Sequence, residues 1–240
     1  ICKICKREFE RGKINVSSAG TLLSFMEKPN FKMSFGFAQY CAEGNLCGDT
    51  IKTINDSRGH MIFIISDGMG KGSRAALDGA MGAGLLSKLL SAGFGFDSSL
   101  KVVNSALLVK SHEESLATLD CVRVDLFSGK CEFYKAGAPR SYIVKDDKLT
   151  KCELTSMPAG ILRGVEFAKR TTVLNTDDEI IMMSDGITDV GDEWLEKFLR
   201  LDTALDPNEK AKAILKIAIE NSDEKHRDDM SVIVAKMIER

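Results

Sequence analysis

Strand-like and helix-like stretches follow one another in groups, and that order constrains the fold of this chain more than any single motif. From Lys32 the residues read as strands through KMSFGFAQYCAEG (Lys32–Gly44) and DTIKTIN (Asp49–Asn55), turn at Asp56–Gly59, and continue as the apolar run HMIFIIS (His60–Ser66). Two helical stretches then come together. Ser73–Gly93 is rich in alanine, glycine and leucine, and Ser98–His112 spaces Leu100, Val103, Leu107 and Leu108 for one buried face. Strands return in TLDCVRVDLFSGKCEFYKAG (Thr118–Gly137), joined at Ser128–Gly129, and in SYIVKDDKLTKCE (Ser141–Glu153), turning at Asp146–Asp147. EFAKRTTVL (Glu166–Leu174) and EIIMMS (Glu179–Ser184) follow. A second helix pair, near Asp192–Leu201 and Pro207–Asn221, precedes a closing strand, MSVIVAKM (Met230–Met237). A parallel sheet would need a helix between successive strands. Hairpins and paired helices instead predict an α+β fold, two antiparallel sheets with helices packed outside them.

A chain of 240 residues suffices for one well-buried domain. Pro29 and Asn30 mark a boundary, so residues 1–30 are expected to form a linker or regulatory helical segment and residues 31–240 the domain. The 33 basic and 35 acidic side chains nearly cancel, which argues against a nucleic-acid partner. No apolar run approaches the roughly 20 residues of a membrane span. Because the chain starts at Ile1, a fragment with membrane segments upstream is the expectation, with this part cytoplasmic. The seven cysteines are scattered and odd in number, which reads as reduced thiols. Cys2-x-x-Cys5 fits one face of an N-terminal helix better than a zinc site, since Cys41 and Cys47 are poorly spaced to supply the second pair.

The acidic residues gather at one edge. Asp49 opens one strand and Asp67 ends the next, and counting outwards from the turn between them leaves the two nearly opposite. Asp185 stands at the exit of a later strand, and Asp228 and Asp229 at the start of the last; those two strands converge if they are antiparallel neighbours. SDG occurs at both strand exits, Ser66–Gly68 and Ser184–Gly186. Singly, Asp-Gly at a strand end is a common turn signal. Clustered carboxylates, however, repel one another unless a cation neutralises them, and hard divalent cations take oxygen ligands. Two phrases of this kind, with further aspartates beside each, predict a metal site drawn from both sheets.

These residues resemble a family. GDT (Gly48–Thr50), DGMGKGSRAA (Asp67–Ala76), KAGAPRSYIV (Lys135–Val144), SMPAGIL (Ser156–Leu162), SDGITD (Ser184–Asp189) and DDMSVIVAKM (Asp228–Met237) occur in the order found in bacterial PPM-type protein phosphatases, those of sporulation among them. The resemblance covers about residues 32–238. It implies an αββα sandwich that binds two Mn²⁺ or Mg²⁺ ions. Asp67 would be the bridging ligand, with the Gly68 carbonyl on one ion, Asp185 and Asp228 on the other, and Asp49 completing the pair, directly or through water. Asp229 stands where many relatives carry asparagine, so the direct contact falls to one or other of Asp228 and Asp229. Lys71, also variable in the family, reads as a loop residue that can touch phosphate. The implied reaction is hydrolysis of phosphoserine or phosphothreonine by metal-activated water, with a phosphorylated anti-anti-sigma factor as the implied partner. Homodimerisation through the N-terminal segment is a further expectation.

Two rivals stand beside this reading. A Walker A loop fails, because Ile65 occupies the early glycine position and Gly72 follows Lys71. A weak or inactive module of the same fold, used for binding or dimerisation, is the second. Of the three histidines, His60, His112 and His226, only His226 lies near the metal motif, where it reads as a solvated loop residue.

Overall fold

A computed structural model describes residues 2–5, 8–10, 12–44, 46–56, 58–110, 115–146, 148–191, 193–201, 205–224 and 227–240. The chain opens with a single helical turn, α1 (Cys2–Cys5), and a hairpin of β1 (Lys13–Ser17) and β2 (Gly20–Ser24). Then come β3 (Phe31–Tyr40), β4 (Asp49–Asn55) and β5 (His60–Asp67), followed by helices α2 (Gly72–Ser91) and α3 (Phe96–Lys110). Strands β6 (Leu119–Asp125), β7 (Lys130–Ala136), β8 (Ser141–Lys145), β9 (Lys148–Cys152), β10 (Ala168–Val173) and β11 (Glu179–Met183) come next. Helices α4 (Asp185–Thr188), α5 (Glu193–Leu201) and α6 (Pro207–Asn221) lead to β12 (Met230–Glu239).

The first five-stranded sheet has the order β10-β7-β6-β5-β4 and the second β3-β12-β11-β8-β9, and every neighbouring pair is antiparallel. The apolar run of β5 shows why the fold has four layers. Met61, Phe63 and Ile65 point between the sheets, where they meet Ile180, Met182 and Ile233 of the second sheet. Ile62 and Ile64 point the other way, against Ala83, Leu86 and Leu90 of α2 and Leu100 and Val103 of α3. On the second sheet Ile181, Val232 and Val234 face Leu195, Ala211, Ile214 and Ala218 of α5 and α6. Each side chain of this size taken fully out of water contributes about 1.5–3 kcal/mol, and strands with both faces covered supply two such sets. The helix-outside, sheet-inside sandwich expected from the sequence is the observed fold.

Charge is buried inside it as well. The Lys135 ammonium, fully enclosed between the sheets, lies 2.6 Å from Asp120 Oδ2 and donates to the Pro139 carbonyl and the Ser141 hydroxyl. Ser141, on the second sheet, donates in turn to Asp120 at 2.9 Å, so the network ties the sheets together. Lys210 of α6 similarly holds Glu179 of β11, at 2.7 Å.

The N-terminal expectation needs correction. Among the described residues of 1–30 there is no helix beyond α1; their main element is the β1–β2 hairpin, with Ile14 opposite Leu23 and Val16 opposite Thr21. β-Branched Ile14, Val16 and Thr21 lose rotamer freedom in a helix and suit a pleated strand. Ser18–Ala19 make the turn between them. The ladder continues through amide hydrogen bonds from Glu10 to Met26 and from Lys28 to Glu8, both 2.8 Å. Every residue of both strands is exposed. No described helix is long and apolar enough to cross a membrane.

Candidate metal centre

The β4–β5 register places Asp49 directly opposite Asp67, at the open end of the hairpin. Beyond Asp67 the chain is pressed against α2: a Cβ on Gly68 would lie 1.9 Å from the Ala75 carbonyl oxygen and 2.6 Å from the Gly79 nitrogen. Only glycine fits at that approach. The Thr118 amide donates to the Asp67 carbonyl at 2.8 Å, its hydroxyl accepts from the Asp67 amide at 3.1 Å, and Gly68 N–H donates to the Gly48 carbonyl at 3.1 Å.

The second sheet contributes through the ends of β11 and β12. Ser184 and Ser231 join them, the Ser184 amide donating to the Ser231 carbonyl and the Ser231 amide to the Ser184 hydroxyl. Asp185 then begins α4, with one carboxylate oxygen accepting from the Gly186 amide at 2.8 Å. A Cβ on Gly186 would fall 2.2 Å from the Asp229 carbonyl oxygen, so the two strand ends meet backbone to backbone. Gln39 of β3 bridges the sheets, its side-chain amide donating to the Asp49 carbonyl and the Ser231 hydroxyl, each at 3.0 Å.

Asp228 and Asp229 have separate surroundings. Asp229 accepts from the Ala42 amide at 2.7 Å and, with its other oxygen, from the Gly48 amide, so it pins the β3–β4 loop. Asp228 is exposed, and one of its oxygens accepts from the Asp229 amide at 2.9 Å.

The electrostatics follow from crowding out of water. Asp49 is 3% exposed, and neither of its carboxylate oxygens meets a hydrogen-bond donor among the described residues. Burial pushes its pKa up to about 7, helped by Asp185 and Asp229 and opposed by the nearby Ser184 and Ser231 hydroxyls. Asp67 is raised to about 8, by burial first and then by Asp185, Asp49, Asp228 and Asp229. Asp185 is raised by burial and by Asp228 and Asp189, with the Gly186 amide working against them. Carboxylates of both sheets thus feel one another. Among the described residues, no three or more acidic, cysteine or histidine side chains stand tightly enough together to hold an ion as they are. Like charges without a counter-ion hold apart, and the orphaned oxygens of Asp49 are the donor type that a hard divalent cation takes. The residues therefore fit such an ion.

The structure brings Asp49, Asp67, Gly68, Asp185 and Asp228 to one edge. Lys71 is exposed beside them at the start of α2. His60 is remote, pairing with Asp56 at the opposite end of the β4–β5 hairpin. His112, Asp147 and His226 lie outside the described residues. Gln39, the Ser184–Ser231 junction and the pinning role of Asp229 were not foreseen. The repeated SDG held one available signal, since Ser66, like Ser184, is buried and ties its strand to a neighbour by donating to the Thr118 carbonyl.

The family model for stage II sporulation protein E (SpoIIE) matches residues 57–238. The chain belongs to this family. It is 29% identical over 222 residues to stage II sporulation protein E of Bacillus subtilis (strain 168), covering 90% of this chain and 27% of that protein, so it spans about a quarter of its relative. The solved PP2C phosphatase domain of SpoIIE from Bacillus subtilis, with a fragment of its regulatory domain, superposes with a TM-score of 0.82 at 27% identity. That match covers 99% of this chain and 72% of the solved one. The catalytic domain of the serine/threonine phosphatase PstP, solved in complex with two manganese ions, shares the fold at 18% identity and a TM-score of 0.69, over 87% of this chain and all of that one. The homologues and structural neighbours of this SpoIIE-family chain are PPM-type serine/threonine phosphatases, a metal-dependent class.

Proposed function

We propose that this chain is the catalytic domain of a protein serine/threonine phosphatase. Asp49, Asp67, the Gly68 carbonyl, Asp185 and Asp228 would hold two Mn²⁺ or Mg²⁺ ions. The observation that carries the reading is Asp49, a carboxylate taken out of water with no donor at hydrogen-bond distance on either oxygen among the described residues, set opposite Asp67 and coupled to Asp185 of the other sheet. A divalent pair supplies Lewis-acid polarisation of a phosphoryl group and activates water for in-line attack on phosphorus.

The chain's own residues set up that chemistry. Asp67, held through its backbone by Thr118, feels Asp185, Asp49, Asp228 and Asp229 together, so it would be the ligand shared between the ions. Asp185 is aimed by the Gly186 amide, and Gln39 fixes Asp49 relative to the second sheet. Asp229 is spent on the Ala42 and Gly48 amides, which favours Asp228 as the ligand of that pair. No cysteine nucleophile is needed. The substrate class that fits is a folded phosphoprotein: the net charge is only −2, and phosphate would be anchored by the ions rather than by a basic groove. The family resemblance favours a phosphorylated anti-anti-sigma factor. In the full-length protein this domain would face the cytoplasm, with any membrane helices upstream.

The test is turnover of phosphorylated anti-anti-sigma proteins and of short phosphopeptides cut from them, with Mn²⁺ titrated in. Metal-dependent release of phosphate, faster on the folded protein, is expected. Release that ignores metal, or none from any phosphoprotein, would leave the inactive binding module as the better account.

A further inference from the structure

The two sheets do not cover each other to the last strand. β4 ends the first sheet and β3 the second, and β4 lies closer to β12 than to β3. β3 alternates as a core strand does: Phe31 and Met33 pack between the sheets, while Ala38 and Tyr40 lie on the helix side. Phe35, Phe37 and Gln39 therefore share the inner face. Yet Phe37 is 54% exposed, and Phe35 is 37% exposed although its ring meets Phe63 edge-on. A groove of about 450 Å³ lies there, lined by Phe37 and Gln39 of β3 and by residues 49–53 of β4. The first sheet is one strand short.

The free edge of β4 is unspent. The Gly48 carbonyl accepts from the Gly68 amide and the Asp56 amide donates to the His60 carbonyl, so both residues turn their backbone groups toward β5. By antiparallel alternation Thr50, Lys52 and Ile54 do the same, and Ile51 and Thr53 aim amide and carbonyl into the groove. Among the described residues no strand takes them up. Asp49 is in the same phase, and the Gln39 side chain donates to its carbonyl at 3.0 Å, as a neighbouring strand would.

We propose that this groove takes an extended segment of the phosphoprotein substrate as an added strand on β4, a role that rests on the phosphatase reading above. The end of the groove decides the occupant, since Asp49 belongs both to the groove and to the metal centre. Every pairing in this sheet is antiparallel, so the segment runs toward Asp49 as β4 runs away from it. The docked stretch, about five residues long, then precedes the phosphorylated one. Its alternate side chains fall on Phe35 and Phe37, which selects apolar residues at every second position. Lys52, exposed on the other face of β4 and without an ion-pair partner among the described residues, favours an acidic neighbour there.

The test uses the whole chain with Mn²⁺ and synthetic phosphoserine peptides. They carry an alternating valine–threonine stretch on the amino side, on the carboxyl side or on neither. Phosphate release and fluorescence anisotropy are both read. The amino-side stretch should raise kcat/KM and tighten binding several-fold, and the carboxyl-side stretch should do neither. Methylating every second backbone amide in one phase should erase the gain, and methylating the other set should spare it. Phe37→Ser and Thr53→Pro should erase it as well, the latter because Thr53 turns its amide to the groove and not to β5. A carboxyl-side gain, or a gain indifferent to methylation, would overturn the added strand. So would a dimer in sedimentation that Thr53→Pro dissolves, since a second copy would then occupy the edge. If the peptides bind in this pattern but release no phosphate, the phosphatase reading fails and β4 remains a docking edge. Release with no amino-side gain in either readout overturns the docking alone.

Discussion

Asp120 and Asp49 are almost equally buried, at 1% and 3% exposure, yet the fold treats them oppositely. Asp120 sits between the sheets against Lys135 and Ser141, and only its second oxygen is left over. Glu179, under α6, has Lys210. Among the described residues Asp49 pairs with no cation and with no donor at hydrogen-bond distance, the Ser184 and Ser231 hydroxyls being its nearest relief, although lysine neutralises buried acid elsewhere in the same sandwich. The difference teaches that burial of acid is neutralised from within except at one edge, where the positive charge must come from outside.

Removing the internal cation should have the largest effect. Lys135→Met strands Asp120 in the interior and should cost about 3–5 kcal/mol of stability, read by denaturant unfolding, as expected when one partner of a buried pair is lost. A cost near zero would mean that Asp120 is no better provided for than Asp49. At the edge the sign reverses. Asp67→Asn and Asp185→Asn remove repulsion, so the metal-free thermal midpoint should hold or rise while hydrolysis nearly disappears. Wild type should gain about 2.7 kcal/mol at Mn²⁺ one hundred times its dissociation constant, and both variants should lose that gain. Wild-type-like stabilisation and turnover in the variants would remove the distinction between edge and interior.

The pH dependence sharpens the same contrast. The folded pKa values of Asp49 and Asp67, about 7 and about 8, lie above the ordinary 3.8, so the folded state binds protons more tightly than the unfolded one. Stability from these groups is therefore full below the ordinary carboxylate range and is lost as pH rises through 7 and 8. A metal-free thermal midpoint that does not fall over this window, or falls equally in Asp67→Asn, would count against the crowding. The smallest effect belongs to the N-terminal hairpin. Its strands are wholly exposed and one of its ties to the domain is the Arg240–Glu10 pair, so deleting residues 1–30 should cost no more than about 1 kcal/mol. Sedimentation of the shortened chain should nonetheless change if exposed Ile14, Val16 and Leu22 join two copies.

Local pattern carried most of the fold and half of the site. Counting from the turn placed Asp49 opposite Asp67 because hairpin register is fixed by nearby residues, whereas the convergence of Asp185 with Asp228 and Asp229 was conditional on β11 and β12 being antiparallel neighbours, which they are. What escaped is what long separation hides. Asp229 meets Ala42 and Gly48 across most of the chain, and Gln39 reaches Ser231 over a similar span once the strands have assembled. α4 is a single turn, too short for periodicity to declare. The N-terminal hairpin was missed for another reason: with every strand residue exposed, it has no buried face to impose strict alternation.

The second sheet closes late. β12 lies between β3 and β11, whereas the strands of the first sheet are complete by Val173. On a ribosome, the first sheet with α2 and α3 could therefore assemble while β3 still waits for the strand that will hold it, and Asp49 and Asp67 would face no partner from the other side. Asp185 and Asp228 come together only when β12 slides into that gap. A nascent or truncated chain is thus half a site by construction, and the carboxylates repel in full only once there is a complete protein to receive the ions.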